Sequence, residues 1–260
     1  MANVLKKIYI SLILLFLYAP MLILVVLSFN ASKSRAKWGG FTLKWYAELF
    51  SQQDIMQALL NTLLIAVISA LVATVIGTIA ALAMNNMNNV TRSIFMGITN
   101  IPMLNAEIVT GISLMLLFIF FRFKFGFTSI LLAHITFNIP YVILSVMPRI
   151  KQINNSTYEA ALDLGASPLK AFFKVVFPDI LPGIFSGMLM AFTMSIDDFI
   201  ITHFTKGAGV DTLSTKIYSQ VRKGIDPKMY ALSTLIFVVV LVLLILVNYL
   251  PNIKNKNKEK

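Results

Sequence analysis

Three acidic residues lie within long apolar stretches of the chain. Glu107 interrupts the stretch 94–121, and Asp197 and Asp198 are neighbours in the stretch 180–204. A carboxylate at the centre of a membrane helix costs about 2.5–3.5 kcal/mol, so each of these side chains requires a polar environment or a cation. Carboxylates in such positions can offset the positive charge of a cationic substrate. We therefore take Glu107, Asp197 and Asp198 as candidates for a substrate pathway.

A structural role is the alternative for each of these acids. Adjacent residues of a helix point about 100° apart, so Asp197 and Asp198 cannot face one pathway equally. One of the two can form an internal hydrogen bond or ion pair instead, for example with the Thr202 hydroxyl or with His203. The pattern therefore predicts that at least one of the three acids lines the pathway.

Other kinds of site have few candidate residues. The chain has no Cys, which excludes disulfides, thiolate metal sites and Cys nucleophiles. His134 and Asn138, one helical turn apart, favour an interhelical hydrogen-bond pair over a metal site. The chain contains no G-x-x-x-x-G-K-[ST] loop, so we expect it to bind no ATP by that route. We expect no catalytic residue, no metal and no cofactor on this chain.

The elements that must position these residues are membrane helices. Hydrophobic residues make up 58% of the chain and charged residues 13%, against roughly 45–50% and ~25% in soluble domains. A bilayer core needs about 20 apolar residues per helix. The chain is therefore predicted to be an all-α, polytopic membrane protein. Its six predicted spans are Ile8–Phe29, Ile55–Met84, Ile94–Phe121, Phe125–Pro148, Ile180–Phe204 and Met229–Leu250.

The depth of the acids depends on whether their helices are continuous. If 94–121 and 180–204 are unbroken helices that start at the cytoplasmic face, Glu107 lies about 20 Å and Asp197 roughly 26 Å above that face. Both then lie in the outer half of the membrane, although Pro102 can break the first of these helices.

The Gly77 and Gly111 positions are predicted to allow close contact between helices.

The net charge of +11 is assigned to loops that face lipid headgroups and water, and not to nucleic-acid binding.

The predicted organisation is a first helix with an outer loop (1–54), a five-helix core (55–250) with a long loop (149–179), and a basic tail (251–260). Basic residues divide equally between the two sides of the membrane, so charge alone leaves the orientation open.

The loop 149–179 carries a spaced motif. It reads Glu159-Ala160-Ala161, three residues, Gly165, nine residues, then Val175-Val176-Phe177-Pro178. Ser156 or Thr157 can cap a helix that begins near Tyr158, and Gly165 can end it in a left-handed conformation. The run Ala166-Ser167-Pro168 can then start a second helix. The motif predicts two short helices joined at a corner of small residues.

This spacing resembles the EAA signature of ABC importer permeases, with Val in place of Ile and Phe in place of Leu. The resemblance implies the type I (MetI-like) permease fold, with the last five spans as the shared core and the loop in the cytoplasm. Both termini are then cytoplasmic, in a multi-pass protein of the cell membrane. It further implies that a groove of the ATP-hydrolysing subunit receives the loop residues Glu159, Ala160, Ala161, Gly165, Ala166 and Ser167.

Several segments resemble the polyamine (spermidine/putrescine) permeases of this family more than those for iron, sulfate, molybdate or thiamine. The implied partners are a dimer of the ATP-binding subunit, which holds ATP and Mg, a second homologous permease and an extracytoplasmic polyamine-binding protein. A stand-alone channel or carrier would not require the EAA loop, and an intramembrane aspartyl protease needs aspartates on different helices. The similar segments are Gly40–Tyr46, Ala133–Pro140, Glu159–Ser167, Ser195–Asp198 and Lys216–Ser219.

Overall fold

The computed structural model describes residues 2–34, 36–223, 226–238 and 241. Throughout this part of the chain the regular elements are helices, as the sequence predicts. We number them α1 (Ala2–Ser28), α2 (Lys44–Ser51), α3 (Gln53–Asn85), α4 (Asn89–Leu104), α5 (Glu107–Phe120), α6 (Phe127–Lys151), α7 (Asn155–Asp163), α8 (Pro168–Ala171), α9 (Phe177–Asp197), α10 (Ile200–Thr205), α11 (Leu213–Lys223) and α12 (Pro227–Val238).

Four helical segments are long and apolar enough to cross a membrane. They are Lys6–Ser28, Gln53–Asn85, Phe127–Lys151 and Pro168–Asp197, and the pair α4 and α5 can form a fifth, broken span. The predicted span Met229–Leu250 lies outside the described residues beyond Val238, except for Leu241. The prediction of an all-helical membrane protein is confirmed, whereas the count of six spans stays a prediction.

The third predicted span is not one continuous helix. Helices α4 and α5 are bent by 104° relative to each other at a short break. Pro102 has no N–H to donate within the last turn of α4, and Asn105 then adopts an extended conformation (ψ 151°) that ends the helix. Glu107 therefore lies in the first turn of α5, and its predicted height on a continuous helix is wrong.

The fifth predicted span also differs from the expectation at both ends. Its helix starts at Pro168 and continues through a π-helical turn, Phe172–Val176, into α9. The second short helix of the loop is thus the beginning of a span. The helix ends at Asp197, because Asp198 is non-helical (ψ 125°) and α10 begins only at Ile200.

The chain forms two compact units, one of residues 57–216 and the other of residues 1–56 and 217–260. The first unit has a core between α3, α6 and α9, in which Ala70, Val142, Val146 and Ile180 are buried. Backbones approach closely there: a Cβ on Gly77 would lie 2.7 Å from Val142 Cβ. The predicted role of Gly77 in close helix contact is confirmed.

The second unit contains a compact loop after α1. The Asn30 side chain accepts hydrogen bonds from the backbone N–H groups of Ser32 and Gly39 and donates one to the Lys37 carbonyl. The indole N–H of Trp45, on α2, donates to the Asn30 carbonyl at 2.7 Å. These bonds close the loop on itself. The domain boundary predicted at residue 54 stays a prediction.

Candidate functional site

The three predicted acids line one cavity. The cavity has a volume of about 290 Å³ within the unit 57–216. The helix breaks position the acids: Glu107 lies at the start of α5, Asp197 is the last residue of α9, and Asp198 follows it. The structure thus brings together residues that are ninety positions apart in the sequence. The lining residues are Glu107, Phe137, Met194, Asp197, Asp198, Phe199 and Ile200.

Close packing of α5 on α10 brings the two helix breaks side by side. A Cβ on Gly111 would lie 3.1 Å from a ring carbon of Phe204 and 3.5 Å from the Ile200 carbonyl oxygen. A larger residue at position 111 would push α5 away from α10. The predicted role of Gly111 in helix contact is therefore confirmed.

The three acids differ in their surroundings. Glu107 and Asp197 are exposed, and no Lys, Arg or His among the described residues forms an ion pair with either of them. The Asp198 side chain, in contrast, is only 4% exposed. The cavity therefore presents two carboxylates that have no ion pair within the described part of the chain and one that is enclosed by protein.

Asp198 is held by groups on α10 and α6. Its carboxylate accepts hydrogen bonds from the backbone N–H groups of Ile201 (3.2 Å) and Thr202 (2.8 Å) and from the Thr202 hydroxyl (2.7 Å). The Nε2 atom of His134 lies 3.4 Å from the same carboxylate. The prediction that one aspartate pairs with Thr202 is confirmed for Asp198, and the histidine beside it is His134.

A buried polar network continues from His134 across three helices. His134 Nδ1 lies 3.0 Å from the Ser195 hydroxyl, and the Asn138 amide donates to the same hydroxyl at 2.8 Å. The Ser69 hydroxyl, on α3, lies 3.0 Å from that of Ser195. His134 and Asn138 therefore form interhelical hydrogen bonds, as predicted, and both bond to Ser195.

The pairing of Ser69 with Ser195 was not anticipated from the sequence. A signal was present, because each serine lies in an apolar span, where a polar side chain is stabilised by a partner on another helix. The sequence does not show which partner each serine has, since the two residues are 126 positions apart.

The loop 149–179 forms the predicted corner at Gly165. This residue has a φ of +83°, and two bonds close the end of α7: Gly165 N–H to the Leu162 carbonyl and Ala166 N–H to the Ala161 carbonyl. Ser167 then caps α8, accepting a bond from the Lys170 N–H. The predicted caps Ser156 and Thr157 are wrong, because Asn154 is the residue that caps α7.

The corner presents apolar side chains to its surroundings. Leu164 is 88% exposed and Leu169 is 74% exposed, and Glu159 and Ala160 are also exposed. A surface of this kind is suited to burial against a partner protein.

In the described part of the chain, no cluster of three His, Cys, Asp or Glu residues could hold a metal ion.

The chain is similar to curated polyamine permeases over most of its length. It is 40% identical over 228 residues to the putrescine transport system permease protein PotI of Escherichia coli K12, covering 85% of this chain and 81% of the relative. It is 36% identical to the spermidine/putrescine permease protein PotC of the same strain, covering 93% and 91%. A PotC homolog of Mycoplasma genitalium is 34% identical, covering 99% and 94%.

Solved structures share the fold. A bacterial ABC transporter that imports the acidic polysaccharide alginate matches with a TM-score of 0.75 and 18% identity, covering 96% of this chain and 94% of that chain. An alginate ABC transporter in complex with a pentasaccharide-bound periplasmic protein matches with a TM-score of 0.72 and 18% identity, covering 94% and 91%.

A family model provides independent support over the region that contains the cavity and the corner. Residues 73–253 match the model described as "Binding-protein-dependent transport system inner membrane component". The resemblance that the EAA spacing suggested is therefore confirmed. The chain belongs to this family of ABC importer permease subunits, which are not themselves enzymes.

Proposed function

We propose that this chain is a permease subunit that passes polyamines such as spermidine and putrescine through the membrane. The observation that carries the proposal is the cavity between α5, α6 and α9, where Glu107 and Asp197 are exposed and form no ion pair with any described Lys, Arg or His. The names of the relatives point to the same cargo, since PotI and PotC are described as putrescine and spermidine/putrescine permeases.

The chemistry of the cavity suits an aliphatic polyamine. Alkylamines have pKa values near that of lysine, about 10.4, so a polyamine carries several ammonium groups at neutral pH. Two carboxylates can offset two of these charges. The rings of Phe137 and Phe199 and the Met194 side chain provide apolar contact for the methylene groups. The two rings also offer faces for cation–π interaction.

Transport by this chain requires partners that supply ATP hydrolysis and cargo. The proposed assembly contains a second homologous permease, two ATP-hydrolysing subunits that hold ATP and Mg, and an extracytoplasmic polyamine-binding receptor. The exposed corner around Gly165 supports the proposal of a contact with the ATPase. Glu159 in α7 would orient the corner for this contact. The segments 38–50 and 210–223 are the proposed receptor contacts.

The proposed orientation places both termini and the loop 149–179 in the cytoplasm. In this orientation the corner faces the ATP-hydrolysing subunit, and the outer loops face the receptor. A cysteine placed at Leu164, in a chain that has none of its own, tests this. Labelling by a membrane-impermeant thiol reagent only after the cells are opened supports the orientation, and labelling of intact spheroplasts contradicts it.

The cargo is tested by ATP hydrolysis of the reconstituted complex. The complex is combined with its receptor and with spermidine, putrescine or sulfate. Stimulation by the amines and not by sulfate supports the proposal. Stimulation by sulfate alone keeps the permease assignment and gives the three acids structural roles.

A further inference from the structure

The two neighbouring aspartates at the end of α9 have opposite surroundings. We propose that Asp198 is a positioning residue, which holds the break between α9 and α10 and thereby places Asp197 in the cavity. Asp197, and not Asp198, then meets an ammonium group of the cargo. This inference rests on the proposed function and extends it, because it divides the two acids by role.

The hydrogen bonds of the buried network run in one direction, toward Asp198. The Thr202 hydroxyl donates to Asp198, so its oxygen is free to accept from His134 Nε2–H at 2.9 Å. With the proton placed on Nε2, the Nδ1 atom is the acceptor of the ring, and the Ser195 hydroxyl lies 3.0 Å from it as the donor. The Ser195 oxygen in turn accepts from the Asn138 amide. The Asp198 carboxylate is the terminal acceptor of this chain.

Asp198 is also fixed through its backbone. Its side chain accepts from two of the first N–H groups of α10, which have no partner within their own helix. Its carbonyl oxygen accepts a hydrogen bond of 2.6 Å from the Ser214 hydroxyl. Asp197 thus lies between two anchored residues, Ser195 on one side and Asp198 on the other.

Because most of its hydrogen-bond acceptor positions are already occupied, the Asp198 carboxylate is poorly suited to bind the cargo. A carboxylate has about four acceptor sites, and three hydrogen bonds occupy most of those of Asp198, while the His134 ring packs 3.4 Å from the same carboxylate. An ammonium group would have to displace buried donors, each of which would lose its hydrogen-bond partner. Asp197 requires no such displacement, because its side chain is exposed.

The absence of cysteine in the chain permits a direct test in the reconstituted complex. Asp197→Cys and Asp198→Cys are compared for reaction with a positively charged methanethiosulfonate reagent. Position 197 is expected to react, and to be protected by spermidine-loaded receptor with a non-hydrolysable ATP analogue. Position 198 is expected to react about tenfold more slowly, because reaction requires access to the thiol.

A matched pair at Thr202 tests positioning without touching either acid. Thr202→Val removes the hydroxyl at nearly constant volume, and Thr202→Ser keeps it. In the Asp197→Cys background, the valine variant is expected to lose protection by spermidine, and the serine variant to restore it. A purely structural role of Asp198, unconnected with the placement of Asp197, leaves protection the same in both variants.

The outcomes separate the two proposals. Spermidine uptake by the wild-type complex, with equal labelling and protection at positions 197 and 198, overturns this inference alone. Unchanged protection by spermidine in the Thr202→Val background also overturns this inference alone. This second result can be obtained even if the Asp198→Cys variant fails to assemble. Absence of uptake of spermidine and putrescine by the wild-type complex overturns the proposed function, and this inference with it.

Discussion

The corner at Gly165 and the break at Asp198 both end one helix before another begins, yet they are held in different ways. The corner is closed by backbone bonds between residues no more than five positions apart, such as Ala166 N–H to the Ala161 carbonyl. The break depends on His134 and Ser195, which are 61 positions apart. A corner held locally keeps its shape when neighbouring helices move, whereas a break held by three helices depends on their arrangement.

The largest effect is expected from removing the acceptor at the break. Asp198→Leu leaves the Thr202 hydroxyl and the Ile201 and Thr202 N–H groups without their acceptor, which we expect to destabilise the complex by about 3 kcal/mol. Asp197→Leu is the matched control, since its side chain is exposed and a surface change costs about 0.5 kcal/mol or less. Thermal unfolding of the purified complex measures both. Equal losses would remove the distinction between the two acids.

A second test addresses the close packing of α3 on α6. Gly77→Leu places side-chain atoms where Val142 already lies, 2.7 Å from the new Cβ, and we expect a loss of about 2 kcal/mol from overpacking. Gly97→Leu is the control, because nothing lies within 4 Å of a Cβ there. The same unfolding measurement distinguishes the two, and a tolerated Gly77→Leu would contradict the close packing of α3 on α6.

The local corner is tested through its backbone conformation. Gly165→Val forces a β-branched residue to a φ of +83°, at a cost of about 1–2 kcal/mol. We expect ATP hydrolysis to continue while polyamine uptake falls, because the altered corner would no longer make the proposed contact with the ATPase. Gly165→Asn is the control, since Asn tolerates the left-handed conformation. Retained coupling in the valine variant would argue against a role of the corner in transmission.

The smallest effect is expected from a partly exposed ion pair. Glu48 lies 3.2 Å from Lys228 and 3.5 Å from Lys44, and its hydrogen bond with Lys228 holds the pKa of the Glu48 carboxyl below the usual 4.5. Because this pKa is lower in the folded state than in the unfolded state, the ionised Glu48 stabilises the folded protein at pH values above the unfolded-state pKa. This stabilisation is lost as the pH falls through the folded-state pKa. Thermal unfolding should therefore separate Glu48→Gln from the wild type slightly at pH 7 in low salt. The difference should vanish in high salt and at a pH well below 4.5.

Most of the fold could be predicted from composition and from motifs with local causes. The apolar stretches predict the long helices, and Gly165 and Ser167 predict the corner because their bonds are made to near neighbours. The cap of α7 was misassigned by a few residues, since Asn154, Ser156 and Thr157 are all suitable cap residues. Helix breaks were harder to predict: Pro102 suggests one, but only the structure shows that α4 and α5 diverge by 104°.

The sequence by itself determined that the chain is a helical membrane protein with an EAA corner, because hydropathy and turn chemistry act over one helix or one turn. It also identified the three acids, since a carboxylate in an apolar stretch is costly wherever it lies. Only the tertiary structure decided their roles. The partners of Asp198 come from distant parts of the chain, and the exposure of Glu107 and Asp197 depends on how α5, α6, α9 and α10 pack around one cavity.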